Sequence, residues 1–389
     1  MDRPLLNRRM AGMGSTIFAE MSALAVATGS VNLGQGFPDT DGPREVAEAA
    51  AAAILGGRGN QYPPGPGIPE LRQAVADHQQ RFYGLGFDPE TEVLVTAGAT
   101  EAIAAALLAL VEPGDEVIAF EPYYDSYAAC VALAGGVRVP VTLRAPDFRP
   151  DLDRLRAAVT PRTRLILLNS PHNPTGSVFT RAELTAIAEL ACERDLLVVC
   201  DEVYEHMVYA GEHVPVGSLP GMRERTVSIS SAGKTFSFTG WKIGWVTATA
   251  ELIAAVRAVK QFLTFVSGGP FQYAIAEALR MPDGYFAGIS EQLRVKRDLL
   301  CAGLAEVGFD VYPPQGTYFV TTDVRRLGDA DGVEFCRNLP RQAGVVAIPN
   351  AVFYDDPDAG RTQVRFAFCK RPEVLHDALA RIEKWARHR

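Results

Sequence analysis

Residues 165–176 read Leu-Ile-Leu-Leu-Asn-Ser-Pro-His-Asn-Pro-Thr-Gly, an apolar run of strand length that breaks at once into turn chemistry. Further on, Leu196-Leu197-Val198-Val199-Cys200 breaks in the same way into Asp201-Glu202-Val203-Tyr204. Between them, Arg181 to Glu193 has the length and mixed polarity of a covering helix. A strand that is apolar at every position has no face for solvent, so such strands belong to a mostly parallel sheet covered by helices on both sides. The pattern repeats outward. Val93 to Thr96, Glu116 to Phe120 and Val137 to Leu143 precede the central pair, and Thr226 to Ser230 and Gly244 to Thr249 follow it. These runs predict an α/β fold whose large domain holds a mostly parallel, seven-stranded sheet, with helices such as Glu101 to Leu110 in the intervals.

Past residue 280 the pattern changes to a charged helix over Ile289 to Leu304, alternating segments at Phe309 to Val320 and Val364 to Phe368, and a final helix. That reads as a smaller α+β domain over 281–389, with 41–280 as the large domain and 1–40 as a segment packing on the small one. A chain of 389 residues suits such a division, at roughly 150 residues per domain. Asn60-Gln61-Tyr62-Pro63-Pro64-Gly65-Pro66-Gly67 reads as a rigid, exposed loop.

Composition removes several classes. With 48% hydrophobic and 22% charged residues the chain has the makings of a packed core, and a net charge of -8 lacks the basic stripe of a nucleic-acid binder. The longest uncharged stretch, Met21 to Pro38, is broken by Thr28, Gly29, Ser30, Asn32, Gly34, Gln35 and Gly36, which a bilayer-spanning helix of about 20 apolar residues does not tolerate. No membrane or nucleic-acid partner is expected, and the location expected is the cytoplasm. Cys130, Cys192, Cys200, Cys301, Cys336 and Cys369 form no CxxC pair, so buried, inert thiols are expected rather than disulfides or a metal site.

Only six of the 38 basic residues are lysines, the first at position 234. In open parallel sheets ligands gather at the carboxyl ends of the strands, and here those ends are polar. Lys234, among small residues after the Thr226 to Ser230 strand, sits where an amine is desolvated and attacks a carbonyl. Asp201 is placed to keep a ring nitrogen protonated. Ala97-Gly98-Ala99-Thr100 passes from strand to helix, which makes its amides an anion site that Ser231 and Lys242 complete. Arg365 lies inside an alternating apolar strand, where a guanidinium is costly unless it grips a carboxylate.

These motifs together resemble the class I aminotransferases of fold type I, which depend on pyridoxal 5'-phosphate. Ser-Pro-His-Asn-Pro-Thr-Gly at 170–176, Asp-Glu-Val-Tyr at 201–204, Ser-Ser-Ala-Gly-Lys-Thr-Phe at 230–236, Gly-Trp-Lys-Ile-Gly at 240–244 and Val-Arg-Phe at 364–366 follow the family's order. Val31 to Asp39 and Asn60-Gln61-Tyr62 are similar to the kynurenine, glutamine and methionine branch. The 62–67 loop resembles that of actinobacterial N-succinyldiaminopimelate aminotransferases. The resemblance implies that Lys234 holds the cofactor as a Schiff base, Asp201 meets its ring nitrogen, Tyr204 and Asn173 its phenolic oxygen, and Tyr124 its face. It assigns the phosphate to Ala99, Thr100, Ser231, Lys242 and, from the partner subunit of a homodimer, Tyr62. The substrate carboxylate falls to Arg365 with Gly34 and Asn173, and Phe18 and Tyr318 shape the side-chain pocket.

The implied reaction moves an amino group from an L-amino acid to a 2-oxo acid such as 2-oxoglutarate in two half-reactions. Kynurenine, glutamine, methionine, an aromatic amino acid or N-succinyl-LL-diaminopimelate are the donors it suggests. A cysteine-conjugate β-lyase using the same cofactor is the alternative, and a non-catalytic ligand-binding module a distant one. Gly233-Lys234-Thr235 ends like a phosphate-binding loop, but Ser228 stands where its leading glycine belongs, and no GxGxxG follows an early strand.

Overall fold

The computed structural model describes residues 5–11, 13 and 16–388. In chain order its strands are β1 (Val31–Asn32), β2 (Val93–Thr96), β3 (Glu116–Glu121), β4 (Val137–Thr142), β5 (Thr163–Asn169), β6 (Leu197–Asp201), β7 (Thr226–Ser231), β8 (Gly244–Thr247), β9 (Asp310–Tyr312), β10 (Phe319–Asp323), β11 (Val345–Val346), β12 (Ile348–Pro349) and β13 (Gln363–Ala367). Seven of them form one sheet in the order β2-β8-β7-β6-β5-β3-β4. The pairs β3/β4, β3/β5, β5/β6 and β6/β7 are parallel, and β8 runs antiparallel to both its neighbours.

The doubly apolar strands are doubly buried. Along β5, Leu165 and Leu167 join the core under the helices Gly98–Leu110 and Ala250–Lys260, while Ile166 and Leu168 join the core under Arg181–Glu193. Successive side chains of a strand point to opposite faces, so a run without polar positions fills two cores at once. Each such side chain contributes about 1.5–3 kcal/mol of burial. The covering helices are locally specified too: Thr180 caps Arg181–Glu193 through a reciprocal box with Glu183.

A second sheet, β12-β13-β10-β9, and the parallel pair β1/β11 build the smaller unit. Its core joins Leu300 and Leu304 of the helix Asp283–Val307 to Phe366, Ile382 and Val320, and also to Met21 and Ala25 of the helix Ile17–Thr28 and to Leu33. The helix Ile17–Thr28 and Leu33 therefore pack on this unit, while Arg9 reaches the Leu133 carbonyl of the helix Asp125–Ala134 at 2.9 Å. Residues 1–4, 12, 14 and 15 lie outside the described residues.

Three expectations need adjusting. Strand β8 ends at Thr247 rather than Thr249, because Thr249 becomes the cap of the next helix. The helix expected from Ile289 begins at Asp283, ahead of the charged stretch that marked it. Of the six thiols, Cys192 is exposed and Cys301 half-buried, so the expectation of uniformly buried cysteines fails at those two, both on helix flanks beside solvent.

Candidate active site

The parallel strands end together, and the registers show which residues meet. Asn169 of β5 stands opposite Asp201 of β6, and Asp201 opposite Ile229 of β7. Because β8 is reversed, its first residue Gly244 lies at the same edge, facing both Ser231 of β7 and Thr96 of β2. A cleft of about 1240 Å³ opens over these ends and runs to the small unit.

Asp201 is buried, and its charge is held by neutral donors. Tyr127 donates its hydroxyl to Oδ2 at 2.5 Å and the Val203 amide donates to Oδ1 at 3.3 Å. Desolvation raises the carboxyl above the ordinary aspartate value, and Tyr127, Val203 and the Lys234 charge act against it. A neighbouring cation, such as a protonated ring nitrogen, is what this carboxylate lacks.

Lys234 follows β7 in the short helix Ala232–Thr235 and lines the cleft. Its Nζ donates to Tyr318 Oη at 2.8 Å and lies 5.7 Å from the Tyr204 ring centre. Burial brings the amine down from the ordinary lysine value to about 8, opposed by Cys369 and Asp201. A sizeable neutral fraction near pH 8 makes the amine a nucleophile and a base.

Facing Lys234 is an anion cradle. The helix Gly98–Leu110 starts at the cleft with no side-chain cap, so its first amides are open, and its dipole adds positive potential. Ala99, Thr100, Ser231 and Lys242 all line the same space. Two glycines allow the approach. Gly98 has φ +74°, and a Cβ there would stand 3.2 Å from Lys242 Nζ; a Cβ on Gly244 would fall 2.6 Å from the carbonyl carbon of Gly98. A phosphate is the group these donors fit.

Arg365, in β13, is 1% exposed. It donates from Nη1 to Asn173 Oδ1 at 2.9 Å and from Nη2 to the Gly34 carbonyl at 3.0 Å, and Nε has no partner. Its guanidinium lies 3.9 Å from the Phe319 ring centre and 5.3 Å from those of Phe18 and Phe353. Among the described residues no carboxylate pairs with it, and desolvation lowers it to about 10. An unpaired buried guanidinium is costly, and a ligand carboxylate removes the cost.

The structure thus brings Lys234, Asp201, Tyr204, Asn173, Tyr124, Ala99, Thr100, Ser231, Lys242, Phe18 and Arg365 to one cleft, with Gly34 bonded to Arg365. Tyr62 stands apart, 82% exposed and edge-on to Phe265 at 5.5 Å. Tyr318 is buried, and its hydroxyl accepts from Lys234 Nζ and donates to the Gly36 carbonyl, both at the cleft wall. Sequence reasoning missed Tyr127 and Asn169. Asn169 donates to the Asp201 carbonyl at 2.9 Å and accepts from the Asn173 amide at 2.7 Å. Its position at the end of an apolar run was the available signal.

Comparison with known proteins is consistent along nearly the whole chain. A family model for aminotransferase class I and II matches residues 28–382. The chain is 54% identical over 387 residues to the probable N-succinyldiaminopimelate aminotransferase DapC of Mycobacterium tuberculosis, covering 96% of this chain and 97% of that one. A solved structure of the N-succinyldiaminopimelate aminotransferase from that organism superposes with a TM-score of 0.95, covering 98% of this chain and 100% of the other at 54% identity. Identity is 41% over 385 residues with methionine aminotransferase of Escherichia coli, covering 98% and 99% of the two chains. With kynurenine–oxoglutarate transaminase 3 of Mus musculus it is 38% over 407 residues, covering 97% and 90%.

Proposed function

The chain belongs to the class I and II aminotransferases and is a transaminase, and from that premise we propose how its own residues carry the reaction and on what. The cofactor is pyridoxal 5'-phosphate, in keeping with the dependence of the family. The donor set fits it: open helix amides with Ser231 and Lys242 for the phosphate, an uncompensated Asp201 for the ring nitrogen, and Tyr204 for the phenolic oxygen. Asn173 gives Oδ1 to Arg365, so its amide nitrogen is the group left to donate. Tyr124, half-buried at the cleft wall, covers the ring.

Pyridoxal phosphate, when bound, supplies an electron-withdrawing ring that accepts the electron pair left at the substrate Cα. Asp201 keeps positive charge on the ring nitrogen and so deepens that sink. Lys234 Nζ would hold the cofactor and, as a free neutral amine, would serve as the base for the substrate Cα proton. Tyr318 orients the freed amine through its hydroxyl. Arg365 grips the α-carboxylate with a geometry common to the amino acid and the oxo acid, so one pocket serves both half-reactions.

The observation that carries this reading is the buried, carboxylate-free Arg365 in the cleft that holds Lys234. We take N-succinyl-LL-diaminopimelate as the donor class and 2-oxoglutarate as the acceptor, on the strength of the 54% relative. Methionine, after the 41% relative, is the second reading. The working form is a cytoplasmic homodimer with a large domain over 41–280 and a small one over 281–389 that carries 1–40. No helix among the described residues is long and apolar enough to cross a membrane.

Absorption spectroscopy of the purified protein tests the reaction, with Lys234→Ala alongside. A visible cofactor band lost on adding glutamate and restored by 2-oxoglutarate is the expected result. Absence of the band after incubation with pyridoxal phosphate overturns the cofactor assignment, and pyruvate and ammonia released without an oxo acid would indicate the β-lyase instead. A donor panel then requires N-succinyl-LL-diaminopimelate to exceed methionine and kynurenine by about tenfold in kcat/KM.

A further inference from the structure

Outside the residues that line the cleft, the helix Pro69–Tyr83 meets the turn that follows β6. His78 of that helix and His206 of the turn face each other, Nε2 to Nε2, at 2.7 Å. Glu205 lies beside them, and the ligand atoms of His78, Glu205 and His206 are all within 4.8 Å of one another. Phe82 and Phe286 wall the group, with ring centres 4.8 Å and 4.6 Å from that of His206. His206 is the half-buried member.

We propose that His78 Nε2, His206 Nε2 and a carboxylate oxygen of Glu205 form a site for one divalent transition-metal ion of the zinc and cobalt class, which ties this helix to the turn that bears Tyr204 directly after Asp201. Two imidazoles and one carboxylate are a donor set such ions favour, with a fourth position left for water. Metal–nitrogen bonds of about 2.0–2.1 Å put tetrahedral ligand nitrogens about 3.4 Å apart, so the two rings need separate by only about 0.7 Å.

Buried carboxyls without basic partners and unsatisfied groups point the same way. Glu202 and Glu205 are both buried, and among the described residues neither pairs with a lysine or arginine. Glu205 accepts from Tyr83 at 2.7 Å and Ser230 at 2.5 Å, and a carboxylate with one such bond on each oxygen still has a lone pair for a metal. Nearby, both ring nitrogens of His213 and Oε1 of Glu202 are buried without partners, 4.0 Å apart at Nε2 and Oε1. The region thus holds buried polar atoms that the protein itself does not satisfy. Cysteine spacing, the signal that argued against a metal, is blind to a histidine–glutamate site.

The test uses tag-free, chelator-stripped full-length protein titrated with Co2+ and read by its visible ligand-field bands, with metal analysis after dialysis against Zn2+. The expected result is one ion per chain, Co2+ bands displaced by Zn2+, and at least about 100-fold weaker binding in His78→Gln and His206→Gln. Cys192→Ser, which removes the exposed thiol, keeps full uptake. Zinc also raises the thermal midpoint of the wild-type protein, a measurement that needs no variant to fold. Substoichiometric uptake with an unmoved midpoint, or unchanged affinity in folded His206→Gln, overturns the proposal and leaves His78 and His206 as a hydrogen-bonded pair.

Discussion

At the scale of single residues, the site depends on how two buried groups keep their working charge. Lys234 is a strong nucleophile near neutrality because burial lowers it to about 8. Protonated amine is inert, so the neutral fraction grows as pH rises through that value. Arylation of Lys234 by an amine reagent in the cofactor-free protein should therefore accelerate with a midpoint near pH 8, followed by peptide mapping. A midpoint above pH 10 would remove the argument for a desolvated base. Asp201 presents the opposite problem, since desolvation favours its neutral form and the Tyr127 hydroxyl restrains it. Losing a hydrogen bond to a charged group costs about 1.5–3 kcal/mol, so Tyr127→Phe should weaken pyridoxal phosphate binding by about 10–150-fold. Equilibrium dialysis of the cofactor checks this apart from turnover, and unchanged affinity would show that Asp201 does not need Tyr127. Lys234, Asp201 and Arg365 were singled out in the sequence by places near strand ends or inside an apolar strand, and Asn173 by the motif it shares with the family; the structure brings all four to one cleft. Tyr127 was not singled out, since nothing local ties it to a carboxylate 74 positions away.

At the scale of elements, strands that fill two cores announced themselves. The seven runs read from the sequence are β2 to β8, displaced by a residue or two where polar ends such as Thr163, Asn169 and Ser231 still belong to the ladder. What could not be read was long-range and short in extent. Strands β1 and β11 are two residues each and pair across more than three hundred positions of chain, with no periodicity to mark them. The reversal of β8 was equally silent, yet it delivers Lys242 and Gly244 to the active edge. The close passage of Gly244 against Gly98 gives a test of that delivery. A Cβ at 244 would meet backbone at 2.6 Å, where nothing flexible can yield. Gly244→Ala should cost at least about 2 kcal/mol in denaturant unfolding, as overpacking does, and should weaken cofactor binding along with it. Stability and affinity both unaltered would mean that the helix Gly98–Leu110 does not hold the phosphate from this approach.

At the scale of the whole molecule, one expected site residue stands outside its own cleft. Tyr62 is exposed beside Phe265, and Phe262, 84% exposed, is close along the chain to that contact. Large aromatics left in water so near one another are what an interface covers. In a two-fold dimer the same patch serves both subunits, so Tyr62 of the partner subunit would complete the phosphate site of the first. Complementation separates this from a merely structural patch. Tyr62→Ala chains keep Lys234 but offer no tyrosine to a neighbour, whereas Lys234→Ala chains keep the tyrosine and lack the base. Mixed after gentle dissociation, half the dimers pair one chain of each kind, and in each of these one site has both groups. Activity should then recover to about a quarter of wild type from two nearly inactive parents, with subunit exchange confirmed by mass. Exchange without recovery would assign Tyr62 to its own subunit or to no site, and would leave the phosphate to Ala99, Thr100, Ser231 and Lys242 alone.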